Sequence, residues 1–426
     1  MRITAPAPDS RIPLDQIDLA TTDLYTNGDA HLAWQTLRAE RPVFWQSRRD
    51  GEGFWAVTRW GDVRKVLSEY QIFSSEQGTA IAMLDAPDPA AGRMMHSTDP
   101  PRHMLFREQI REHYSPHGIV KYKSRIGSLV SAAVAPVLDA EEWDPAETFI
   151  RMPMTVAAML MELPSSDIDM LLRLAFSVLA PADPRFGDGT ELAAFIANHD
   201  IMDYFTNVIA ERRRKPTEDV IGVLLTMEIE GRRLTQQEIL LNCLSLLLGA
   251  VVTTSQAISA TLIGLTEKHH GEGRWELEVP TRAVVEEALR WSSPVTHFMR
   301  RARRDVELHG QTIRAGQAVT AWIASANRDE EVFSRPYTLD LERSQNRHMT
   351  FGSGPHLCLG SHLARLMLTE SFEELIATIE SFELAGEPSH LISNEIAGVV
   401  SLPLRVRLRP GASQRIRGKA EELNRA

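Results

Sequence analysis

The segment from Ile239 to Thr266, ILLNCLSLLLGAVVTTSQAISATLIGLT, contains no charged residue and is longer than a helix needs to be to cross a bilayer. Its second half carries uncharged polar side chains at Thr253, Thr254, Ser255, Gln256, Ser259 and Thr261. They make that half too polar for lipid, while the whole is too apolar for a solvent-facing helix. The segment therefore predicts a helix of about 40 Å buried in one large domain. We interpret residues 1–426 as that domain, with residues 1–20 and 410–426 as peripheral tails.

The bulk composition narrows the class of protein. The 426 residues are 43% hydrophobic and 24% charged, which is typical of a soluble globular chain with a sizeable core. A net charge of -11 argues against a nucleic-acid partner, because phosphate binding needs an excess of clustered Lys and Arg. Two distant cysteines, Cys243 and Cys358, and a start without the apolar stretch of a secretory signal indicate a reducing, cytoplasmic location.

Local patterns predict a mostly α fold with a smaller β portion. FWAVTRW, residues 54–60, alternates like a strand, and helical periodicity dominates from Gly118 to Leu289. The stretch from Gln77 to His96 is rich in Gly, Pro and Asp and predicts a long irregular loop. Residues 303–324 alternate again around a His309-Gly310 turn, which predicts a hairpin.

The stretch TFGSGPHLCLGSHLARL, from Thr350 to Leu366, places Cys358 in a glycine-rich turn directly before an amphipathic helix. A helix that begins near Cys358 or Leu359 would direct free N–H groups and its positive dipole end towards the sulfur and favour the thiolate. Such a sulfur serves as a nucleophile, a redox thiol or a metal ligand. A buried structural cysteine is the alternative without chemistry.

Two of these uses lack the residues that they need. A phosphatase-like nucleophile requires an arginine six residues after the cysteine, where this chain has Ala364. An acyl-transfer pair with His356 or His362 has no further support in the sequence, and redox exchange needs a second cysteine nearby. Axial ligation of a heme iron remains. It needs one thiolate, glycines for the close approach of the porphyrin, and cations for its propionates.

The loop FGSGPHLCLG resembles the heme-binding loop of the cytochrome P-450 family. The matching positions are Phe351, Gly352, Gly354, His356, Cys358 and Gly360. EEALR resembles the ExxR helix of the family through Glu287 and Arg290, and FSRPYTLDLERSQN resembles the segment that supplies their third partner, Arg343. The likeness runs from Phe54 to Leu404. It implies a single-domain cytochrome P-450 fold with a long central distal helix and a proximal cysteine loop.

The resemblance implies heme b (iron protoporphyrin IX) as the cofactor, with Cys358 as the iron ligand. Glu287, Arg290 and Arg343 then have a structural role on the proximal side that holds the cysteine loop. The implied contacts of the propionates are His103, Arg107, Arg300 and His356. The implied loop contacts of the cofactor are Phe351, Gly352 and Gly360.

GAVVTT, residues 249–254, resembles the part of the central helix that faces dioxygen in the family. Gly249 and Ala250 match the small pair that makes room for dioxygen, and Thr253 matches the alcohol. Val252 stands where the family has an acid, so the usual proton relay is missing. Water held by Thr253 and Gln256 would replace it, or the substrate would bring its own polar group. A third alternative is chemistry other than simple hydroxylation.

Position in the family fold also indicates a substrate pocket. Its predicted lining residues are Met94, Val252, Val295, Thr296, His297 and Val399. Most residues of the predicted pocket region are apolar, which indicates a small, largely hydrophobic organic substrate that Thr296, His297 and Gln256 help to orient.

The implied activity is that of a heme-thiolate monooxygenase of specialised metabolism, which inserts one oxygen atom from O2 into its substrate. The chain has no flavin or iron–sulfur motif, so NAD(P)H acts only indirectly, through a separate ferredoxin or flavodoxin and its reductase. Candidate cations for the docking of this carrier are Arg107, Arg111, Lys121, Arg347 and Arg365. We expect a monomer with no membrane association.

Two other classes of function remain open from the sequence. The same fold performs oxidative coupling, ring formation, nitration or peroxide-driven oxidation, an alternative that Val252 suggests. A non-enzymatic heme sensor is the other class, although nothing in the chain suggests an output domain.

Overall fold

The computed structural model describes residues 1–86, 88–251, 253–275 and 279–417. About 49% of the residues are helical and 12% lie in strands, which confirms the mostly α class with a smaller β portion. Val252, the valine in the position of the expected acid, lies outside the described residues.

The helices, in chain order, are α1 Asp23–Thr26, α2 Ala30–Glu40, α3 Trp60–Ser68, α4 Arg102–Tyr114, α5 Pro116–Val120, α6 Lys123–Val134, α7 Pro145–Phe149, α8 Arg151–Leu160, α9 Ile168–Leu179, α10 Glu191–Arg214, α11 Val220–Thr226, α12 Gln236–Val251, α13 Thr253–Lys268, α14 Thr281–Ser292, α15 Ile323–Ala326 and α16 Ser361–Thr378. The strands are β1 Val43–Gln46, β2 Phe54–Val57, β3 Phe73–Ser74, β4 Glu228–Ile229, β5 Arg232–Arg233, β6 Glu272–Arg274, β7 Phe298–Ala302, β8 Val306–Leu308, β9 Gln311–Ile313, β10 Ala318–Ala321, β11 Ile379–Leu384, β12 Ser389–His390, β13 Val399–Ser401 and β14 Leu404–Leu408.

The largest sheet has the strand order β1-β2-β10-β7-β3. Only the contact between β10 and β2 in this sheet is parallel, and the remaining pairs are antiparallel. A second sheet has the order β14-β11-β6. The predicted hairpin is present as β8 and β9, and its turn residues His309 and Gly310 have φ values of 49° and 71°. Two consecutive positive φ values are what a tight hairpin turn requires.

The uncharged segment forms α12 and α13, which flank residue 252. The span Gln236–Lys268 is long and apolar enough to cross a membrane, but 65% of its most apolar window is buried inside the protein. Leu247, Val251 and Ile258 are 0% exposed and belong to the main hydrophobic core. Burial by neighbouring helices explains the lack of charge, so the predicted buried central helix agrees with the structure.

The two ends of the chain were expected to be peripheral tails, and a few of their residues pack into the hydrophobic cores. Ile17 and Leu19 are buried against Trp34 and Trp322, because these apolar side chains cover the aromatic cluster. At the other end, Ile416 is 1% exposed and joins the main core. Residues 418–426 lie outside the described part of the chain.

Glu287 of α14 is the centre of a buried ion cluster. Arg290, one turn later, donates from Nε and Nη2 to the two carboxylate oxygens of Glu287 at 2.8 and 2.7 Å. Arg343 donates from Nε to Glu287 Oε2 at 3.0 Å, and the Asn346 amide adds a bond at 3.1 Å. The side chains of Arg290 and Glu287 are 0% and 1% exposed. The trio implied by the resemblance therefore meets in the interior, where each charge depends on the others.

The ion cluster is connected to the start of the cysteine loop through Asn327. Arg290 donates to the Asn327 carbonyl at 3.0 Å. The Asn327 side chain donates to Thr350 Oγ1 at 3.0 Å and accepts from the Met349 N–H at 2.7 Å. Thr350 also donates to the Leu289 carbonyl of α14 at 2.8 Å. The cysteine loop therefore begins at residues that are fixed to the helix of the ion cluster.

Glu287→Ala is expected to lower the free energy of unfolding by about 3–5 kcal/mol, because it leaves two buried guanidinium groups without a counter-charge. Chemical unfolding of the purified protein measures this loss, and heme content is expected to fall with it. Asp169→Ala is the control: it removes an exposed ion pair with Arg151 and should cost less than about 1 kcal/mol. Equal stability of the two variants would contradict the anchoring role of the cluster.

Candidate active site

The cysteine loop closes on itself before α16 begins. The Cys358 N–H donates to the Phe351 carbonyl at 2.9 Å, across a short 3-10 turn at Gly354–His356. Helix α16 begins at Ser361 with Gly360 in the N-cap position. The expected helix start at Cys358 or Leu359 is therefore wrong, because the turn continues past the sulfur.

Gly354 allows the cysteine loop to contact α3. Its φ is 73°, and a Cβ at this position would lie 2.6 Å from Ser68 Cα and 2.9 Å from the Leu67 carbonyl oxygen. The hydroxyl oxygens of Ser68 and Ser353 are 2.9 Å apart. A side chain at residue 354 would thus force the loop and the helix apart, and only glycine fits.

Burial dominates the acidity of Cys358. It raises the pKa of the Cys358 thiol above its ordinary value, while the Gly360 N–H and the charges of Arg107 and Arg365 act in the opposite direction. In the protein without a bound metal, burial therefore outweighs the expected stabilisation of the thiolate by a helix start. Coordination to a metal cation deprotonates a thiol outright, so the two findings are compatible with a ligand role.

A cluster of potential hydrogen-bond donors lies close to Cys358. The rings of His103 and His356 are 4.1 Å apart. Burial lowers the pKa of His103 to about 4 and that of His356 to about 2, with nearby arginine charges acting in the same direction. Arg300 is 4% exposed, and burial lowers its pKa to about 10. Its side chain donates to the carbonyl of the adjacent Met299 at 2.8 Å.

This donor cluster has no anion of its own. Arg107 forms no hydrogen bond or ion pair with any residue in the described ranges, and His103 Nδ1 is buried without a partner. Asp99, whose charge acts on Arg300, already accepts from the Ser75 N–H and is paired with Arg303. Guanidinium and imidazole donors without an anionic partner fit the two carboxylates of a heme, and a single sulfur beside them fits its iron.

A row of accessible residues runs along one face of the two central helices, most of whose other described residues are buried. Ser245, Gly249 and Thr253 follow one another at intervals of four residues, and Ala250 lies beside them; all four are at least partly accessible. A Cβ added at Gly249 would meet no protein atom within 4 Å, and the same holds at Gly360 of the cysteine loop. Both glycines therefore leave room for a flat group.

The Thr253 hydroxyl is available for chemistry. It forms no hydrogen bond within the described part of the chain. Thr261, two turns later, differs, because its hydroxyl donates to the Ala257 carbonyl of its own helix at 2.7 Å. A threonine that is not bonded to its helix keeps a donor and an acceptor for water or another small molecule.

The irregular loop from Gln77 to His96 is fastened to α12 by side chains that the sequence did not single out. Asn242 accepts from the Met95 N–H at 2.8 Å and donates to the Arg93 carbonyl at 3.0 Å. His96 Nδ1 lies 2.8 Å from the Ser245 hydroxyl oxygen. Met94, predicted to line the pocket, is 6% exposed within the main core.

Gln256 has a different partner from the one expected. Its Oε1 accepts from the Val399 N–H at 2.5 Å, which connects α13 to β13. Gln256 and Val399 both line a cavity of about 590 Å³ together with Ala260 and Trp291. Gln256 therefore positions the strand, and its carbonyl oxygen is already engaged.

The predicted pocket residues before β7 are mostly engaged with the protein. Val295 forms a β-bridge with Ile396, and the Thr296 hydroxyl donates to the Asn394 carbonyl at 2.7 Å. His297 is 1% exposed, and its ring lies 4.4 Å from that of Trp322. These bonds hold the segment in place, so the Thr296 hydroxyl is not free to orient a substrate.

Comparison with known proteins shows what this arrangement is similar to. The Cytochrome P450 family model matches residues 276–408. Cytochrome P450 NovI of Streptomyces niveus is 32% identical, with 92% of this chain and 97% of NovI covered.

Two solved structures extend the likeness to the fold. Cytochrome P450 CYP268A2 of Mycobacterium marinum, in complex with pseudoionone, has a TM-score of 0.83 at 30% identity, with 93% of this chain and 99% of that chain covered. P450 OxyD, which is involved in the biosynthesis of vancomycin-type antibiotics, has a TM-score of 0.80 at 32% identity, with 92% and 100% covered.

The likeness extends over nearly the whole chain, so it concerns the fold and not the cysteine loop alone. It agrees with a fold in which a buried Glu–Arg–Arg cluster holds a loop with one cysteine beside unpaired cations. The chain belongs to the cytochrome P450 family: it is a monooxygenase that binds heme b and receives electrons from NAD(P)H only indirectly, through redox partners.

Proposed function

We propose that this enzyme inserts one oxygen atom from O2 into a small, largely hydrophobic organic substrate of specialised metabolism. The observation that supports it is the accessible face of α12 and α13, which presents Gly249, Ala250 and Thr253 together. Leu246 and Leu248 of α12 are partly accessible apolar side chains. The likeness to OxyD, which is involved in antibiotic biosynthesis, supports the metabolic setting. We place the enzyme in the cytoplasm as a monomer.

The cofactor site uses the residues described above. Cys358 is the proposed iron ligand, and His103, Arg107, Arg300 and His356 are the proposed contacts of the propionates. Phe351, Gly352 and Gly360 are the residues of the cysteine loop that would contact the porphyrin. A thiolate-ligated heme supplies the activation of dioxygen for attack on unactivated C–H bonds.

Helices α12 and α13 would contribute space for dioxygen and a proton donor. Gly249 and Ala250 keep side-chain bulk away from the position of dioxygen. The Thr253 hydroxyl, which has no partner in the described residues, holds water and passes a proton. Gln256 contributes by fixing β13 through the Val399 N–H.

A separate ferredoxin or flavodoxin with its reductase is the proposed electron source. Among the expected docking cations, Arg111, Lys121 and Arg347 are exposed and form no ion pair with any described residue. Arg365 differs, because Glu286 lies 2.6 Å from its Nε. Exposed apolar side chains on α4 and the cysteine loop are Met104, Leu105 and Leu357. Apolar contacts with basic residues around them suit a weak, electrostatically steered complex with an acidic carrier.

The iron ligand is tested by Cys358→His. This variant is expected to lose the red-shifted Soret band of the ferrous carbonyl complex, because the band depends on a thiolate ligand. Cys243→Ser is the matched control and should keep the band, since Cys243 is 0% exposed in the core. Absorption spectra of the reduced protein under carbon monoxide measure both. Retention of the band in Cys358→His, or its loss in Cys243→Ser, would overturn the assignment.

Oxidative coupling, ring formation, nitration or peroxide-driven oxidation is the second candidate function. The observation that favours it is Val252, because the chain has no carboxylate at the position from which the family delivers protons. These reactions place different demands on proton delivery. The two candidates therefore differ in how much they depend on Thr253.

Thr253→Ala is expected to uncouple a monooxygenase, so that NAD(P)H is consumed while hydrogen peroxide replaces product. Product formed per NAD(P)H, with surrogate ferredoxin and reductase, measures this. Thr261→Ala is the control on the same helix, and its coupling should match wild type because that hydroxyl is bonded to Ala257. Val252→Asp should leave coupling unchanged or improve it with poor substrates. Full coupling in Thr253→Ala with every substrate would favour the second candidate.

A further inference from the structure

The turn between β12 and β13, residues 391–398, is bound to the segment that precedes β7. The Glu395 carbonyl accepts from the Thr296 N–H at 2.9 Å. The next residue, Ile396, forms a β-bridge with Val295. The turn thus lies directly against two residues whose positions in the family fold predicted the substrate pocket, and the backbone of Glu395 lies beside that predicted pocket.

Glu395 carries a carboxyl group that forms no hydrogen bond or ion pair with any residue in the described ranges. Part of its surface is accessible, yet burial raises the pKa of Glu395 to about 7. The residues that follow Ile396, namely Ala397, Gly398 and Val399, line the cavity of about 590 Å³, so the turn that carries Glu395 lies at that cavity. No nearby charge contributes to the shift, so the carboxylate has no cation close to it.

A second acceptor without a partner lies on the neighbouring segment. Thr296 Oγ1 is 2.7 Å from the Asn394 carbonyl oxygen and 2.9 Å from His297 Nδ1. Because the hydroxyl has one proton and the carbonyl has none, His297 Nδ1 donates to Thr296. His297 Nε2 then carries a lone pair, and this buried atom has no partner.

The other titratable groups around the turn are engaged or neutral. Asp183, which accepts from the Ile392 N–H, is paired with Arg185. Burial lowers the pKa of His297 to about 3 and that of His390 to about 4, so both rings are neutral at pH 7. Glu395 is therefore the group of this turn whose charge changes near neutral pH.

We propose that Glu395 binds a positively charged amino group of the substrate and so selects small, hydrophobic amines. The proposal rests on the monooxygenase function and narrows its substrate class. An ammonium group donates up to three hydrogen bonds and neutralises the carboxylate. A neutral substrate would leave the deprotonated Glu395 as a desolvated anion without compensation.

The test compares 4-phenylbutylamine with 4-phenylbutan-1-ol, two probes that differ in the charge of one end. Calorimetric titration of the heme-loaded protein near pH 8 is expected to give roughly 10-fold or tighter binding of the amine, the effect of one charge-assisted hydrogen bond. Glu395→Gln should lose this preference and keep the affinity for the alcohol. Glu383→Gln, a change at an exposed glutamate of β11, should retain the preference.

The preference should also depend on pH in a defined direction. The carboxylate form of Glu395 binds the cation, so the preference should appear as pH rises through about 7 and vanish below about pH 6. In Glu395→Gln the affinities should be flat over the same range. A preference that survives in Glu395→Gln, or a wild type without any preference, would overturn the proposal. A shift of the Soret band to longer wavelength with the amine, unchanged in Glu395→Gln, would mean that the nitrogen binds the iron, and it would also overturn it.

This measurement separates the proposal from the function on which it rests. Binding needs no electron carrier and no turnover, and the carbonyl spectrum reports the state of the Cys358 site independently. Loss of the amine preference in a protein with a normal carbonyl spectrum and normal product formation would sink only the Glu395 assignment. Absence of product with every substrate and carrier, with the preference intact, would sink only the monooxygenase reaction.

Discussion

A buried carboxylate is tolerated only when every lone pair and every neighbouring charge is satisfied. Glu287 meets this condition with bonds from Arg290, Arg343 and Asn346, and those partners come from a helix and from a segment more than fifty residues later. The bonds fix α14 and the segment 329–346 relative to each other. Because the cysteine loop starts at residues bound to Asn327 and α14, the position of the sulfur depends on this cluster.

The parts of the fold that local patterns determine could be predicted from the sequence. Alternation and a turn pair located β8 and β9, and the absence of charge located the central helices. Local patterns are less informative where distant packing decides. Leu19 is buried because it packs against Trp34 and Trp322, and no feature of residues 1–20 indicates those partners. The acidity of Cys358 likewise depends on surrounding burial, which outweighs the nearby N–H group and cations.

The residues of the candidate site likewise include some that local motifs reveal and others that only long-range contacts reveal. Motif residues such as Cys358, Glu287 and Thr253 were identified because their spacing resembles a family pattern. Asn242, His96 and Glu395 were missed, because each acts through a contact between segments far apart in the chain. Glu395 left one signal, an acidic residue beside an apolar stretch near the predicted pocket, but its lack of a partner becomes visible only in three dimensions.

The contact at Gly354 bears on the order in which the molecule is assembled. Ser68 and Ser353, which meet there, are 285 residues apart in the chain. A contact of that sequence separation forms only after nearly all of the chain has left the ribosome, whereas α3 and the first strands are made early. The cysteine loop contacts α3 on one side and α14 on the other. Cys358, four residues after Gly354, therefore cannot be fixed in the site by the part of the chain that is made first.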